Sequence, residues 1–239
     1  MKTRAAVLWD RNKEWSVEEI ELDPPKSGEV LVSLAGSGLC HSDEHVVTGD
    51  LPAAVPVVGG HEGAGIVQEV GPGVTGLAPG DRVIFSFIPS CGQCRPCATG
   101  MGSLCEIGRY TQGGRQITDQ TSRHHARGQD LGLMCFLGTF AEHTVVNQAS
   151  CVKVEDDLAL DIACLLGCGV ITGWGSVVYT GEARVGDVVV VVGVGGIGIN
   201  AVQGAVAAGA EYIVAVDPVA FKREKALEFG ATHAVATSE

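Results

Sequence analysis

Residues Val188 to Gly198 constrain the fold of this chain more than any others. Five consecutive valines run into Gly193-Val-Gly195-Gly196-Ile-Gly198, and an apolar stretch continues to Ala210. The valines read as a strand, the glycines as a tight turn and the apolar residues after them as a helix. From Val188 the chain alternates strand, helix, strand, helix and a last strand start at His233 to Ala236. Such alternation requires a parallel sheet with crossover helices. The uncharged run Val188 to Ala210 mimics a membrane span, which needs about 20 apolar residues. The early glycines argue against that, and no membrane partner is expected.

The same segment carries a ligand expectation. In a GxGxxG turn between strand and helix, the glycines allow the tight turn, close approach of a pyrophosphate to backbone N–H groups, and close helix–strand packing. The helix N-terminus turns its positive end toward the phosphates. Asp217 ends the next strand, where its carboxylate would accept hydrogen bonds from ribose hydroxyls. That favours NAD and repels the 2′-phosphate of NADP. Gly193, Gly195, Gly196, Gly198 and Asp217 are therefore candidate cofactor residues. Lys222 and Arg223 come soon after, either reaching the cofactor or standing as solvated helix charges.

Cys91, Cys94, Cys97 and Cys105 form a C-x2-C-x2-C-x7-C cluster. Four thiolates that close in sequence can converge on one tetrahedral ion, and zinc suits them. Such a site is closed: it braces a loop and does no chemistry. Arg95, inside the cluster, is a plausible counter-charge. Iron–sulfur frameworks also use CxxCxxC and stay as the alternative. Disulfides fit poorly. The chain has nine cysteines, an odd number, and its first 30 residues hold no secretory h-region or cleavage site. A cytoplasmic protein is expected. The formal net charge of −12 speaks against a nucleic-acid partner.

Upstream, Ala5–Leu8, Glu29–Leu34, Gly65–Val70 and Arg82–Phe85 read as short strands. Turns at Pro24-Pro25, Gly71-Pro72-Gly73 and Pro79-Gly80-Asp81 separate them. A small, closed or partly closed barrel is expected, with residues 111–137 as a surface loop. Leu158–Leu166 reads as a helix. The character of the sequence changes after Val154, which suggests domains at 1–154 and 155–239. Roughly half of a doubly wound dinucleotide fold is present, and a third strand is just starting at the end. A fragment of a longer protein is expected.

Three further settings complete the pattern: Gly38-Leu-Cys40-His-Ser42-Asp43-Glu-His45, Gly60-His61-Glu62, and Gly167-Cys168-Gly169-Val170. Together with the four-cysteine cluster and the glycine turn, in this order over essentially the whole chain, they resemble the zinc-dependent medium-chain alcohol dehydrogenases. The resemblance implies a GroES-like β-barrel catalytic domain followed by a Rossmann dinucleotide-binding domain, here truncated. It implies two zinc ions per chain, NAD, and a small-molecule alcohol or aldehyde as substrate.

By that resemblance Cys40, His61 and Cys168 hold a catalytic zinc with one corner open, and Cys91, Cys94, Cys97 and Cys105 hold a structural one. Asp43 accepts the second ring N–H of His61. Glu62 either approaches the metal or is a structural carboxylate. Ser42 and His45 form a proton relay by way of the cofactor ribose, and His41 and Thr172 contact the cofactor. Leu51, Phe87 and Phe140 line an apolar cleft for a primary or secondary alcohol. The family often has arginine where this chain has His41. With Arg123-His124-His125, this resembles an actinobacterial nicotinoprotein, or NDMA-dependent, branch. Some of that branch keep the nicotinamide cofactor bound and use an external acceptor; others oxidise a thiol adduct of formaldehyde. Outside the enzymes, the same residues suit a non-catalytic zinc-binding fragment without a nicotinamide pocket. Family members are dimers or tetramers through the missing half of the sheet, which puts an oligomer of this chain in question.

Overall fold

Side-chain alternation builds the first part of the chain. In the computed structural model, which describes residues 1–237, β1 (Lys2–Leu8) and β2 (Ser16–Leu22) pair antiparallel with Ala5, Val7, Ile20 and Leu22 buried. Then come β3 (Glu29–Ser37), α1 (His41–Thr48), β4 (Val57–Val58), β5 (Gly63–Val70) and β6 (Arg82–Phe85). After α2 (Arg95–Ala98) lie β7 (His124–Ala126), β8 (Gln129–Asp130), β9 (Gly132–Leu133), β10 (His143–Asn147), β11 (Cys151–Lys153) and α3 (Leu160–Ala163). One sheet runs β8-β7-β2-β1-β4-β9 and the other β10-β3-β5-β6-β11. They make the expected, nearly closed barrel, with Val30, Val32, Val67, Val83, Phe85 and Val146 in one core cluster.

The first compact unit is Met1–Gly167 and the second begins at Cys168. Leu160, Ala163 and Cys164 pack with Ala64 and Ile84 of β5 and β6, so the segment after Val154 stays with the barrel. The units therefore part beyond the point where the sequence changes character.

The expected surface loop at 111–137 is only partly one. Its second half supplies β7 to β9 and buries Arg123, His124, Leu131, Leu133 and Phe136. Most of the buried polar atoms there are paired, with His124 Nδ1 an exception. Arg123 Nε and Nη2 donate to Glu29 Oε2 and Oε1 at 2.8 and 2.7 Å, with both side chains fully buried, and Asp119 accepts a further bond at 2.8 Å. His124 Nε2 lies 3.2 Å from Thr144 Oγ1.

Burial, helped by the nearby charges of His125 and Arg123, pushes the His124 imidazole down to about 3. An unfolded chain takes up this proton near pH 6.5, while the native state does not. Native stability should therefore fall as pH drops from about 6.5 toward 3, by up to about 1.4 kcal/mol per pH unit from this group. Urea unfolding at several pH values should show that slope, and His124→Leu should flatten it.

The second unit has α4 (Gly169–Gly175), β12 (Val188–Val192), α5 (Gly196–Ala208), β13 (Tyr212–Val216), α6 (Ala220–Glu228) and β14 (His233–Val235). The sheet is parallel, in the order β12-β13-β14. A Cβ at Gly173 would overlap the Ile197 carbonyl, so only glycine lets α4 lie this close to α5. The uncharged run 188–210 is β12, the glycine turn and α5. Among the described residues, no single helix is long and apolar enough to cross a membrane.

Candidate functional site

The entrance of α1 gathers several expected residues of the first unit. Cys40 is the N-cap, in extended backbone, and Asp43 stands in the first turn. Asp43 Oδ2 accepts the Cys40 backbone N–H at 2.9 Å, and its Oδ1 lies 3.1 Å from His61 Nδ1. Asp43 and His61 are both buried. A carboxylate at this distance holds the ring proton on Nδ1, which makes Nε2 the nitrogen whose lone pair a metal would take. One side chain thus sets both the thiol-bearing backbone and the imidazole. Phe87 meets the His61 ring edge-on, with centroids 5.9 Å apart.

The ligand atoms of Cys40, His61 and Glu62 lie within 4.8 Å of one another. Glu62 arrives there because residue 38 is glycine: a Cβ at Gly38 would overlap Glu62 Oε2. Burial alone would raise the Cys40 thiol, but the backbone N–H and hydroxyl of Ser42 and the nearby His61 outweigh it and hold the thiol below its usual range. Ser42 Oγ is 3.6 Å from Cys40 Sγ. A favoured thiolate, a lone pair on imidazole and a carboxylate are a donor set that suits zinc. Asp43→Asn should weaken zinc binding here by about 10–100-fold, read by chelator competition. An unchanged affinity would show that Asp43 does not orient the donors.

The other expected residues of this unit are spread out. His41 and His45 meet edge-to-face at 4.7 Å, one turn apart on α1. Leu51 lines a cavity of about 80 Å³ with Val46, Thr111, Met134 and Cys135. Phe140 packs edge-on against Trp15 at 5.8 Å and does not line that cavity. Met134 and Cys135 carry no sequence signal for this position. The chain turns there because Cys135 and Phe136 take φ values of 51° and 64°, which side-chain-bearing residues seldom adopt.

The four cysteines of the lobe converge as their spacing suggests. Their sulfurs all lie within 4.8 Å of one another, with Cys91–Cys97 at 4.0 Å and Cys94–Cys105 at 3.9 Å. A disulfide would bring two sulfurs to about 2.05 Å. Tetrahedral Zn–S bonds of about 2.3 Å put sulfurs about 3.8 Å apart, so the set fits a zinc ion. The Ser90 hydroxyl, 3.5 Å from Cys97 Sγ, leads the groups that hold that thiol down at about 6. The backbone N–H groups of Gln93 and Cys94 lower Cys91.

In the second unit, Gly193 takes φ 88° at the end of β12, and its N–H donates to the Val216 carbonyl at 2.8 Å. A Cβ at Gly198 would overlap the Gly193 carbonyl. A Cβ on Gly193, Gly195 or Gly196 would meet no atom within 4 Å, so the turn keeps open space beside its backbone where phosphates would lie. Gly195 is the N-cap of α5. Asp217 is buried at the end of β13 and accepts the Val194 and Val219 backbone N–H groups at 2.9 and 2.8 Å. Arg223 Nη1 donates to the Asp217 and Pro218 carbonyls, while Lys222 stands half-buried on α6. Thr172 is exposed on α4, and Cys168 is the buried N-cap of the same helix.

A sequence model of the alcohol dehydrogenase GroES-like domain matches residues 26–156, and one of zinc-binding dehydrogenases matches residues 196–239. The chain belongs to the GroES-like, zinc-binding alcohol dehydrogenase family. Among its relatives is the NDMA-dependent alcohol dehydrogenase of Amycolatopsis methanolica, 56% identical over the whole chain and 64% of the relative. An alcohol dehydrogenase zinc-binding domain protein from Burkholderia ambifaria superposes with a TM-score of 0.94 at 36% identity, covering the whole chain and 65% of that protein. Benzyl alcohol dehydrogenase from Acinetobacter calcoaceticus gives 0.89 at 30% identity, over the whole chain and 64% of that enzyme. The chain thus spans just under two thirds of the length of these relatives. The resemblance read from the cysteine, histidine and glycine motifs, and the two-part fold it implied, are both borne out.

Proposed function

We propose that this chain serves the zinc-assisted oxidation of a primary or secondary alcohol to an aldehyde or ketone, with hydride transfer to NAD. The observation that carries the reading is Asp43, which holds the Cys40 backbone and the His61 ring from one buried carboxylate. Cys40 and His61 would ligate the metal together with Cys168. Chain connectivity supports the third ligand. Gly167 packs beside Glu62, a Cβ on it falling 3.7 Å from the Glu62 Cα, and Cys168 is the next residue, its Cα about 3.8 Å further along. A zinc ion in this set supplies Lewis acidity that eases loss of a proton from a hydroxyl at its open corner.

The chain's own residues supply the rest. Ser42 Oγ, close to Cys40 Sγ, is the first acceptor of the substrate proton. His45 lies three residues on, on the same face of α1 and half-exposed, and passes a proton to solvent. Glu62 holds a carboxylate against the donor set and competes for the open corner. Phe87 beside His61, with the Leu51 cavity, favours an apolar alcohol over a charged one. The α5 N-terminus and its glycines would bind the cofactor phosphates, with Asp217 facing the adenosine ribose. His41 would contact the pyrophosphate and Thr172 the nicotinamide end. The kinship to an NDMA-dependent enzyme favours a cofactor that stays bound through turnover, in a cytoplasmic protein.

The test is alcohol-dependent NADH formation, or reduction of an added acceptor, by the 239-residue chain beside a version extended to the relatives' length. Activity in the extended version is expected. No activity in either would sink the dehydrogenase reading. Nicotinamide retained through purification would support the bound-cofactor branch.

A further inference from the structure

We propose that Asp217 is a positioning residue that braces the glycine turn, and that its hold on the turn is separate from any contact with a ribose. This rests on reading the turn as a dinucleotide phosphate site. Glycines alone leave such a turn poorly defined, because they bring no side-chain packing and lose the most freedom on ordering. Gly193, Gly195 and Gly196 touch nothing through their Cβ directions. Val194 is the one side chain of the Gly193–Gly196 segment that enters the core.

The Asp217 carboxylate fastens that residue from the other side. Its Oδ2 accepts the Val194 N–H at 2.9 Å and its Oδ1 the Val219 N–H at 2.8 Å. Two successive turns of the sheet, after β12 and after β13, are thereby tied through one side chain. The neighbouring Gly193 N–H to Val216 carbonyl bond continues the same seam. Arg223, bonded to the Asp217 and Pro218 carbonyls, fixes the acid's own backbone. Each carboxylate oxygen has two acceptor positions, so ribose hydroxyls can be read with the remaining ones.

The brace and the charge-repulsion role make opposite predictions for Asp217→Asn. If the carboxylate only repels a 2′-phosphate, the amide should trade NAD affinity for NADP affinity. If it braces the turn, the amide fails for both cofactors. Its NH2 cannot accept, so in either flip one of the two backbone N–H groups faces a donor. The phosphate site, common to both dinucleotides, then loosens.

The experiment is amide hydrogen exchange on the ligand-free 239-residue chain, followed by NAD and NADP titrations. In Asp217→Asn, exchange at Val194 and Val219 should rise by about tenfold or more, with β13 amides unchanged. Affinity for NAD should fall by about tenfold with no gain for NADP. Asp217→Glu, which keeps the charge but shifts the oxygens by one methylene, should raise exchange at the same two amides to a smaller extent. It serves as the test if the asparagine variant unfolds. Unchanged exchange at Val194 in both variants, or a switch to NADP with the turn still protected, would overturn the brace. If the wild-type chain binds neither dinucleotide, the cofactor reading falls and the exchange data alone decide the brace.

Discussion

Cys94→Ala is expected to remove one bound zinc and to lower the melting temperature by more than about 10 °C. The reasoning starts from how little else holds the lobe. Across residues 91–105 only Cys105 is buried, and α2 has no buried residue. Apolar packing therefore cannot fix the chain there. The four sulfurs already stand at the spacing of a tetrahedral zinc site, so a bound zinc ion would serve as the lobe's core. Three thiolates cannot close the coordination shell, and the remaining anions repel. Calorimetry with metal analysis checks this. If Cys94→Ala kept its thermal stability while abolishing chemistry, the roles of the two sites would be exchanged.

Cys168→Ala is expected to do the reverse: to lose about half of the bound zinc and nearly all turnover, with little change in melting temperature. Its proposed co-ligands are each held by contacts other than a metal. His61 and Asp43 are buried and bonded to each other, and Cys40 caps a helix closed by Asp43. Without the third ligand, two donors and the Glu62 carboxylate would hold the ion weakly. The Ser42 and His45 side chains would then have no activated hydroxyl to serve. Unchanged turnover in this variant, assayed at the relatives' full length, would refute the ligand assignment.

Much of the fold was legible because it rests on short-range signals. The run Val188–Val192 and the glycines after it carry their strand and turn signals within a few residues, and β12, α5 and β13 lie where the pattern put them. The four cysteines converge because only short loops separate them. Long-range polar pairing was not legible. Arg123 and Glu29 look like surface charges until the fold brings them together across the chain and buries both. The stretch around Arg123 therefore read as a loop.

The candidate site divides in the same way. Cys40 and Asp43 come together because a helix N-cap and a first-turn acid are local geometry, whereas His61 reaches Asp43 from a separate part of the chain, a contact that only the family resemblance implied. The apolar residues offered no such guide. Leu51, Phe87 and Phe140 lie in three different surroundings, because an aromatic side chain packs wherever space exists and names no partner. Asp217 was read as a ribose ligand; that it also ties two backbone turns together depends on N–H directions that no sequence pattern displays.

Zinc content of the purified 239-residue chain is the most direct measurement of the central claim, that one chain carries two metal sites with separate tasks. Two ions per chain are expected in the wild type, and one in each of Cys94→Ala and Cys168→Ala, with thermal stability lost only in the first. A single ion in the wild type, or loss of both ions in either variant, would contradict it.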